Sequence, residues 1–373
     1  MRIGIDARLM NETGVGRYIR NLIRELAVVD QDNDYVIFLR ERDFSHFTAP
    51  NPRWHKRKAE VAWHTIAEQF MMPWILLKEH LNFLHVPYFN TPIFYPGKYI
   101  VTIHDLTILH FDTGKASMLP YWVYKIRRLG YRIVLLAGIK RAAHIIAVSE
   151  AVKRDILAEF DEKEERVSVT YEGIDPVFLN ISKVKNSKVS VNGSFFLYVG
   201  NVYPHKNIEM LLEAYTRYKD LVKSPATLLF VGPADYFYRQ MEMLLPSLGL
   251  ERHIRVLHDQ SDEALAGLYA HAVALLFPSR MEGFGLPALE ALACGCRVIC
   301  SDIPVFHEIL GKHAVFVDTN NPHDFASMMK SVSLARHDAQ ALRAAVFPLV
   351  ATYSWKKMAE KTLALYKKFG YAS

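Results

Sequence analysis

The sequence predicts an α/β protein made of two doubly wound domains in tandem. Three observations carry that prediction. Short runs of β-branched and aromatic residues alternate with stretches of helical period along nearly the whole chain. The alternation breaks once, at a Lys-, Asn- and Ser-rich stretch over 179–194, and then restarts. The length, 373 residues, is long for one core and comfortable for two. Such alternation implies parallel sheets covered on both faces.

The first half opens with a buried strand, RIGIDA at 2–7, a turn, NETGVG, and a helix over 17–29. Apolar residues of that helix fall at 19, 22, 23 and 26, the helical period. Strands follow at 35–39, 81–87, 99–105, 143–149 and 166–173, with gaps long enough for helices. We read 1–180 as the N-terminal domain and the stretch around 179–194 as the linker. In the second half, 190–353, strands are expected at 195–201, 227–232, 254–259, 272–279, 296–302 and 314–319. Helices are expected at 207–222, 236–248, 262–270 and 287–294. The last segment, 354–373, begins a Lys-rich amphipathic helix after a candidate cap at Ser354, and is expected to pack back on the N-terminal domain. Two such domains imply a cleft, and ligands of open α/β sheets bind beyond the carboxyl ends of the strands.

Composition excludes several classes. With 51% hydrophobic and 23% charged residues the chain is not disordered. Cys294, Cys296 and Cys300 are odd in number and sit in an apolar setting, so they read as buried thiols of a reducing compartment rather than a disulfide framework. No apolar h-region opens the sequence and no run reaches the roughly 18–20 residues that span a bilayer, so a soluble, cytoplasmic protein is expected. The net charge of +6 is modest and suits an anionic small ligand or membrane surface. No zinc-finger, RNA-recognition or homeodomain pattern accompanies it, so nucleic acid is not an expected partner.

Four strand-following motifs carry candidate chemistry. TGVGRY (13–18) lacks the full dinucleotide fingerprint, but Gly14 and Gly16 let backbone approach a ligand at a helix start, unless this is a plain βα turn. His104 ends a very apolar strand in IHDL (103–106). It is either structural or a group beside a sugar hydroxyl or developing charge. In GNVYPHKN (200–207), Gly200 is followed by His205 and Lys206 before a helix. A lysine there is misplaced for the helix dipole unless it meets an anion such as a diphosphate. In MEGFGLPALEALACG, Glu282 precedes a Gly-x-Gly turn and Glu290 lies eight residues on, read as the first turn of a helix where a carboxylate is favourable anyway. The spacing places the two carboxylates in different elements.

Taken together these residues resemble the retaining glycosyltransferases of family 4, or group 1, which have the GT-B fold of two Rossmann-like domains facing across a cleft. The motifs run in order over nearly the whole chain: the glycine-rich first loop, VTIHDL, AVSEAVKRDI (147–156), TYEGID (170–175), the G-x(5)-K loop, FPSRMEGFGLPALEALACG, SDIPVFHEI (301–309) and the SW…AxxxLxxY tail. The E-x(7)-E signature with its EGFGLPxLEAxAxG surroundings is highly specific. The resemblance implies that the C-terminal domain binds a nucleotide diphosphate sugar, GDP- or UDP-linked, and the N-terminal domain the acceptor. Gly14 and Gly16 would face donor phosphates or acceptor, and His104 the transferred sugar. Lys206 would neutralise the leaving diphosphate. Glu282 would bind the donor sugar, and Gly200, Ser279 and the amides near Phe284, Gly285 and Leu286 would line the donor. Glu290 would hold the ribose. One departure stands out: the family often has G-R-x(4)-K, and the Arg position here is Asn201. Either His205 supplies the second contact or the phosphates are held more weakly. The P-x-K-N variant is similar to a subgroup acting on mannose or related sugars in polysaccharide synthesis.

The mechanism implied is retaining and metal-independent, with no cofactor. A lysine and a helix N-terminus stabilise the departing diphosphate, no Asp-x-Asp lies in a strand-end loop, and the acceptor attacks the face just vacated. Residues 115–141 interleave Lys125, Arg127, Arg128, Arg132, Lys140 and Arg141 with aromatics, as suits an anionic membrane surface near a lipid-linked saccharide acceptor, or a solvated helix face. Acceptor-side loops such as 40–70 carry no readable code. Another sugar-nucleotide enzyme of the same fold (an epimerase, for example) and a non-catalytic sugar-nucleotide-binding module are the alternatives.

Overall fold

A computed structural model describes residues 1–111, 121–180 and 193–370. Most of the stretch read as linker (181–192), residues 115–120 of the basic-aromatic stretch and residues 371–373 lie outside the described residues. The described chain forms two compact units. One comprises 1–110, 121–173 and 354–370, the other 111, 174–180 and 193–353.

The first unit is built on a seven-stranded parallel sheet. In chain order its strands are β1 (Arg2–Asp6), β2 (Asp34–Leu39), β3 (Trp54–Lys58), β4 (Phe83–Val86), β5 (Tyr99–Ile103), β6 (His144–Ala147) and β7 (Val167–Val169), and their spatial order is β3-β2-β1-β4-β5-β6-β7. Strands β4, β5 and β6 are buried along their whole length, as expected where helices cover both faces. Those helices are α1 (Thr13–Val29), α2 (Ile66–Leu77), α3 (Tyr121–Arg141) and α4 (Glu150–Phe160). α1 sets Tyr18, Ile19, Leu22 and Leu26 into the core, and α4 starts where Ser149 Oγ accepts from the Val152 amide at 3.1 Å. β3, WHKRK, was not expected: only Trp54 is buried, stacked on Tyr35 at 4.1 Å, and the strand sits at the sheet edge.

The second unit holds a six-stranded parallel sheet of β8 (Phe195–Val199), β9 (Thr227–Gly232), β10 (Ile254–His258), β11 (Leu275–Phe277), β12 (Val298–Ser301) and β13 (Val315–Val317), in the order β10-β9-β8-β11-β12-β13. Its longer helices are α5 (Ile208–Leu221), α6 (Tyr236–Leu244), α7 (Asp262–His271), α8 (Leu286–Ala293), α9 (Pro322–Leu334) and α10 (Ala339–Val350). The core beneath α5 and α9 is aromatic and aliphatic, with Tyr198, Tyr215, Phe230 and Phe325 fully buried. The terminal helix α11 (Trp355–Gly370) belongs to the first unit and packs along α1. Gly173 permits the approach: a Cβ there would lie 2.1 Å from the Trp355 amide nitrogen.

Both sheets are doubly wound, and each reverses its winding direction once: between β1 and β4 in the first, between β8 and β11 in the second. These are the positions where open α/β sheets part their flanking loops and admit ligands.

Candidate functional site

At the reversal of the second sheet, the loop after β8 (200–207) meets the loop after β11 (278–285). Gly200 adopts φ +143°, where side chains are rarely tolerated, so the chain leaves the strand sharply. Tyr238 Oη donates to the Gly200 carbonyl at 2.7 Å and Tyr198 Oη donates to the Asn201 carbonyl, so two buried phenols pin the turn. The amide of Arg280 donates to the His205 carbonyl at 2.8 Å, which ties the loops together. At their junction Lys206 Nζ lies 2.5 Å from Glu282 Oε1, with only 13% and 11% of the two side chains exposed. A lysine next to the start of α5 is unfavourable for the helix dipole, and Glu282 supplies the counter-charge. Three buried polar atoms in these loops, Asn201 Oδ1, Asn207 Nδ2 and Ser279 Oγ, have no hydrogen-bond partner among the described residues.

α8 opens directly after the second loop. Its N-cap, Gly285, has φ +89°, and a Cβ there would sit 2.8 Å from Phe306, so only glycine fits without strain. No side chain caps this end. Phe284 is buried edge-on to Tyr353 (ring centroids 5.4 Å apart) and Leu286 is buried, so what these two positions offer a ligand is backbone. The helix begins at Leu286, which puts Glu290 in its second turn rather than the first. The dipole therefore does little for this carboxylate, yet it is 2% exposed, with Oε2 accepting from Tyr269 Oη of α7 at 3.2 Å. Glu282 and Glu290 thus have different partners and are not a carboxylate pair. The three cysteines are buried and their thiols are pushed up by burial, Cys296 to about 12, which leaves them unreactive packing groups.

In the first unit His104 follows β5. Its Nε2 faces the Pro87 carbonyl at 3.0 Å and its Nδ1 faces Glu172 Oε1 at 3.1 Å, while the Tyr18 ring stands edge-on at 4.9 Å. The Pro87 carbonyl and the Glu172 carboxylate both accept, so the ring is oriented between two acceptors. Glu172, 5% exposed in the TYEGID segment after β7, is a partner that the sequence reading did not single out. Gly14 and Gly16 lie within the first turn of α1. A Cβ on Gly16 would fall 2.6 Å from the Met10 carbonyl, so packing accounts for that glycine. Gly14 is exposed, with nothing within 4 Å of a Cβ, so packing places no demand on it.

Comparison with known proteins accords with this arrangement. Residues 13–178 match the model described as "Glycosyltransferase Family 4", and residues 181–346 match "Glycosyl transferases group 1". The chain is 32% identical over 232 residues to the O-antigen chain mannosyltransferase RfbU of Salmonella typhimurium, an alignment covering 62% of this chain and 60% of that protein. It is 26% identical over 387 residues to O-antigen chain mannosyltransferase B of Escherichia coli, covering 95% and 96%. Among solved structures, sucrose-phosphate synthase from Thermosynechococcus elongatus superposes with a TM-score of 0.77 at 19% identity, covering all of both chains. With both halves matched and both sheets doubly wound, the chain belongs to the family 4, group 1 glycosyltransferases of GT-B fold.

Proposed function

We propose that this protein moves a hexosyl unit, mannose by preference, from a nucleotide diphosphate sugar to a saccharide or lipid-linked saccharide acceptor, with retention of anomeric configuration and without a metal. The observation that carries the reading is the Lys206–Glu282 ion pair at the reversal of the second sheet. An arriving diphosphate offers the ammonium a second anionic partner, and Glu282 is then free to accept from hydroxyls of the donor sugar. Lys206 balances the charge that grows on the leaving phosphate, aided by the backbone amides around Gly285 at the start of α8 and, in place of the missing arginine at Asn201, by His205. Glu290, already paired with Tyr269, holds the ribose hydroxyls. Gly14 lets the N-terminal unit approach donor phosphates or acceptor, and His104, fixed by Glu172, stands beside the transferred sugar. Glu282 is then occupied by hydroxyls of the donor sugar rather than aimed at its anomeric carbon, so the acceptor attacks the vacated face, with the departing phosphate oxygen taking the acceptor's proton.

The O-antigen roles of the two relatives support mannose and polysaccharide synthesis. The surface of α3 supports a membrane-side acceptor. It carries no acidic residue, bears Lys125, Arg127, Arg128 and Arg132, and exposes Trp122, Ile126, Leu129 and Ile133 along one stripe. That pattern suits peripheral contact with anionic lipid. No helix among the described residues is long and apolar enough to cross a membrane.

The test is transfer from GDP-mannose, with UDP-glucose and UDP-galactose alongside, to short saccharides in excess EDTA, with product configuration read by NMR. We expect a product of the donor's own anomeric configuration in EDTA. An inverted product, or activity that EDTA abolishes and a divalent ion restores, contradicts the proposal.

A further inference from the structure

The first sheet also has a reversal, between β1 and β4, and a buried charge relay is built there that the donor chemistry does not use. Arg8, two residues past the end of β1 and 3% exposed, donates from Nη2 to Asp6 Oδ2 and to Glu68 Oε1, both at 2.6 Å. Glu68 is fully buried on α2, and Asp6 is 7% exposed. Two carboxylates on one guanidinium leave a net negative charge in a dry place, which costs stability unless the arrangement serves something.

The relay has a direction. The other oxygen of Glu68 accepts from the His64 amide at 2.9 Å and from the side-chain amide of Asn90, which follows β4. A carboxylate that already accepts from Arg8 requires the nitrogen of Asn90 on its side, so the amide oxygen faces the other way. It meets His64 Nδ1 at 3.1 Å, and only an N–H at Nδ1 satisfies that contact. The proton is thereby assigned to Nδ1, and Nε2 keeps a bare lone pair. No described residue partners Nε2, and the residue is half-buried. Burial holds the imidazole down to about 4, so the ring is neutral at physiological pH.

What surrounds the imidazole ring is aromatic. Trp63, Tyr88, Phe89 and Tyr131 place ring centroids 4.8–6.1 Å from the His64 ring. Trp63, Tyr88 and Tyr131 are only half-buried, as is His64 itself. His64 also holds φ +58°, a conformation that ordinary residues leave unless their surroundings enforce it. A neutral acceptor fits a hydroxyl, and partly exposed rings fit the C–H face of a pyranose.

We infer that His64, with Trp63, Tyr88 and Tyr131, forms a subsite for an uncharged glycosyl unit of the acceptor, whose hydroxyl donates to His64 Nε2. The inference rests on the proposed transfer to a saccharide. It places a specificity-determining residue in the 40–70 segment, whose sequence carries no readable code.

The probes are methyl α-mannopyranoside, methyl α-galactopyranoside and methyl β-N-acetylglucosaminide, observed by saturation-transfer NMR on the full chain. His64→Phe keeps an aromatic ring and removes the acceptor atom, and His64→Asn tolerates the left-handed backbone. We expect at least one glycoside to receive saturation from the wild type, to bind roughly tenfold more weakly to both variants, and to shift the bare His64 nitrogen in long-range ¹H–¹⁵N spectra. The thermal shift given by GDP or UDP should be the same in all three proteins, which reports folding and the donor site separately. The inference is overturned if no glycoside binds, if the variants bind as the wild type does, or if the proton is found on Nε2. A loss of nucleotide binding in wild type, with glycoside binding intact, would instead sink the donor reading alone.

Discussion

At the residue scale the proposed chemistry turns on Lys206. We propose that this lysine near a helix start, held by a mostly buried glutamate, is an anion site whose place is kept by a protein carboxylate. Lys206→Met should lower the rate of donor cleavage about 10²–10³-fold, whereas Glu282→Gln should weaken sugar binding and still turn over slowly. Rates of nucleoside diphosphate release measure both. A Lys206→Met enzyme within a few-fold of wild type, or complete inactivity of Glu282→Gln with a covalent sugar trapped on the wild type, would reverse the assignments. The places of Lys206 and Glu282 in strand-following loops and of Glu290 on the helix beyond were legible because a short signature fixes them. Their partners were less so. Nothing in the order of residues announces that Tyr269 reaches Glu290 or that Glu172 reaches His104 across 68 positions, because such pairings are made by the sheet order.

At the scale of elements, hydrophobic period revealed the buried strands and the helices with one apolar face, and it failed where burial is slight. β3 shows no alternation that points to a core: its sequence is WHKRK, it lies at a sheet edge, and one tryptophan on Tyr35 anchors it. The boundaries of α8 shifted by one residue, enough to move Glu290 out of the first turn. The terminal helix α11 is tied to the sheet by a buried histidine: His85 on β4 meets Tyr366 Oη at 2.5 Å and Thr102 Oγ1 at 2.8 Å. Burial lowers His85 from 6.5 to about 3. The unfolded chain therefore takes up this proton below pH 6.5 while the folded unit does not. The stability is complete above that pH and falls by about 1.4 kcal/mol per unit as pH drops toward 3. All five tryptophans (Trp54, Trp63, Trp74, Trp122 and Trp355) belong to the first unit, so their fluorescence follows that unit alone in urea. Between pH 7 and 5 the wild type should lose about 2 kcal/mol more than His85→Asn does. Equal losses would show that His85 is not the group responsible.

At the scale of the molecule, two sheets wound the same way each present a reversal point, and each carries buried charge that packing alone does not require: Lys206 with Glu282 and Glu290 in the second unit, Arg8 with Asp6 and Glu68 in the first. The fold class was readable because it follows from alternation and length. The proposed acceptor subsite was not, since Arg8, Glu68, Asn90 and His64 are scattered over the chain and meet only in the folded unit. The central claim is that the second unit binds a nucleoside diphosphate sugar, and a thermal-shift series with GDP, UDP, ADP and their sugars on wild type and Glu290→Ala tests it most directly. One nucleotide series should stabilise the wild type, by about 2.7 kcal/mol at a hundredfold excess over its Kd, with most of that gain missing in Glu290→Ala. If none of these nucleotides stabilises the wild type, the claim is wrong.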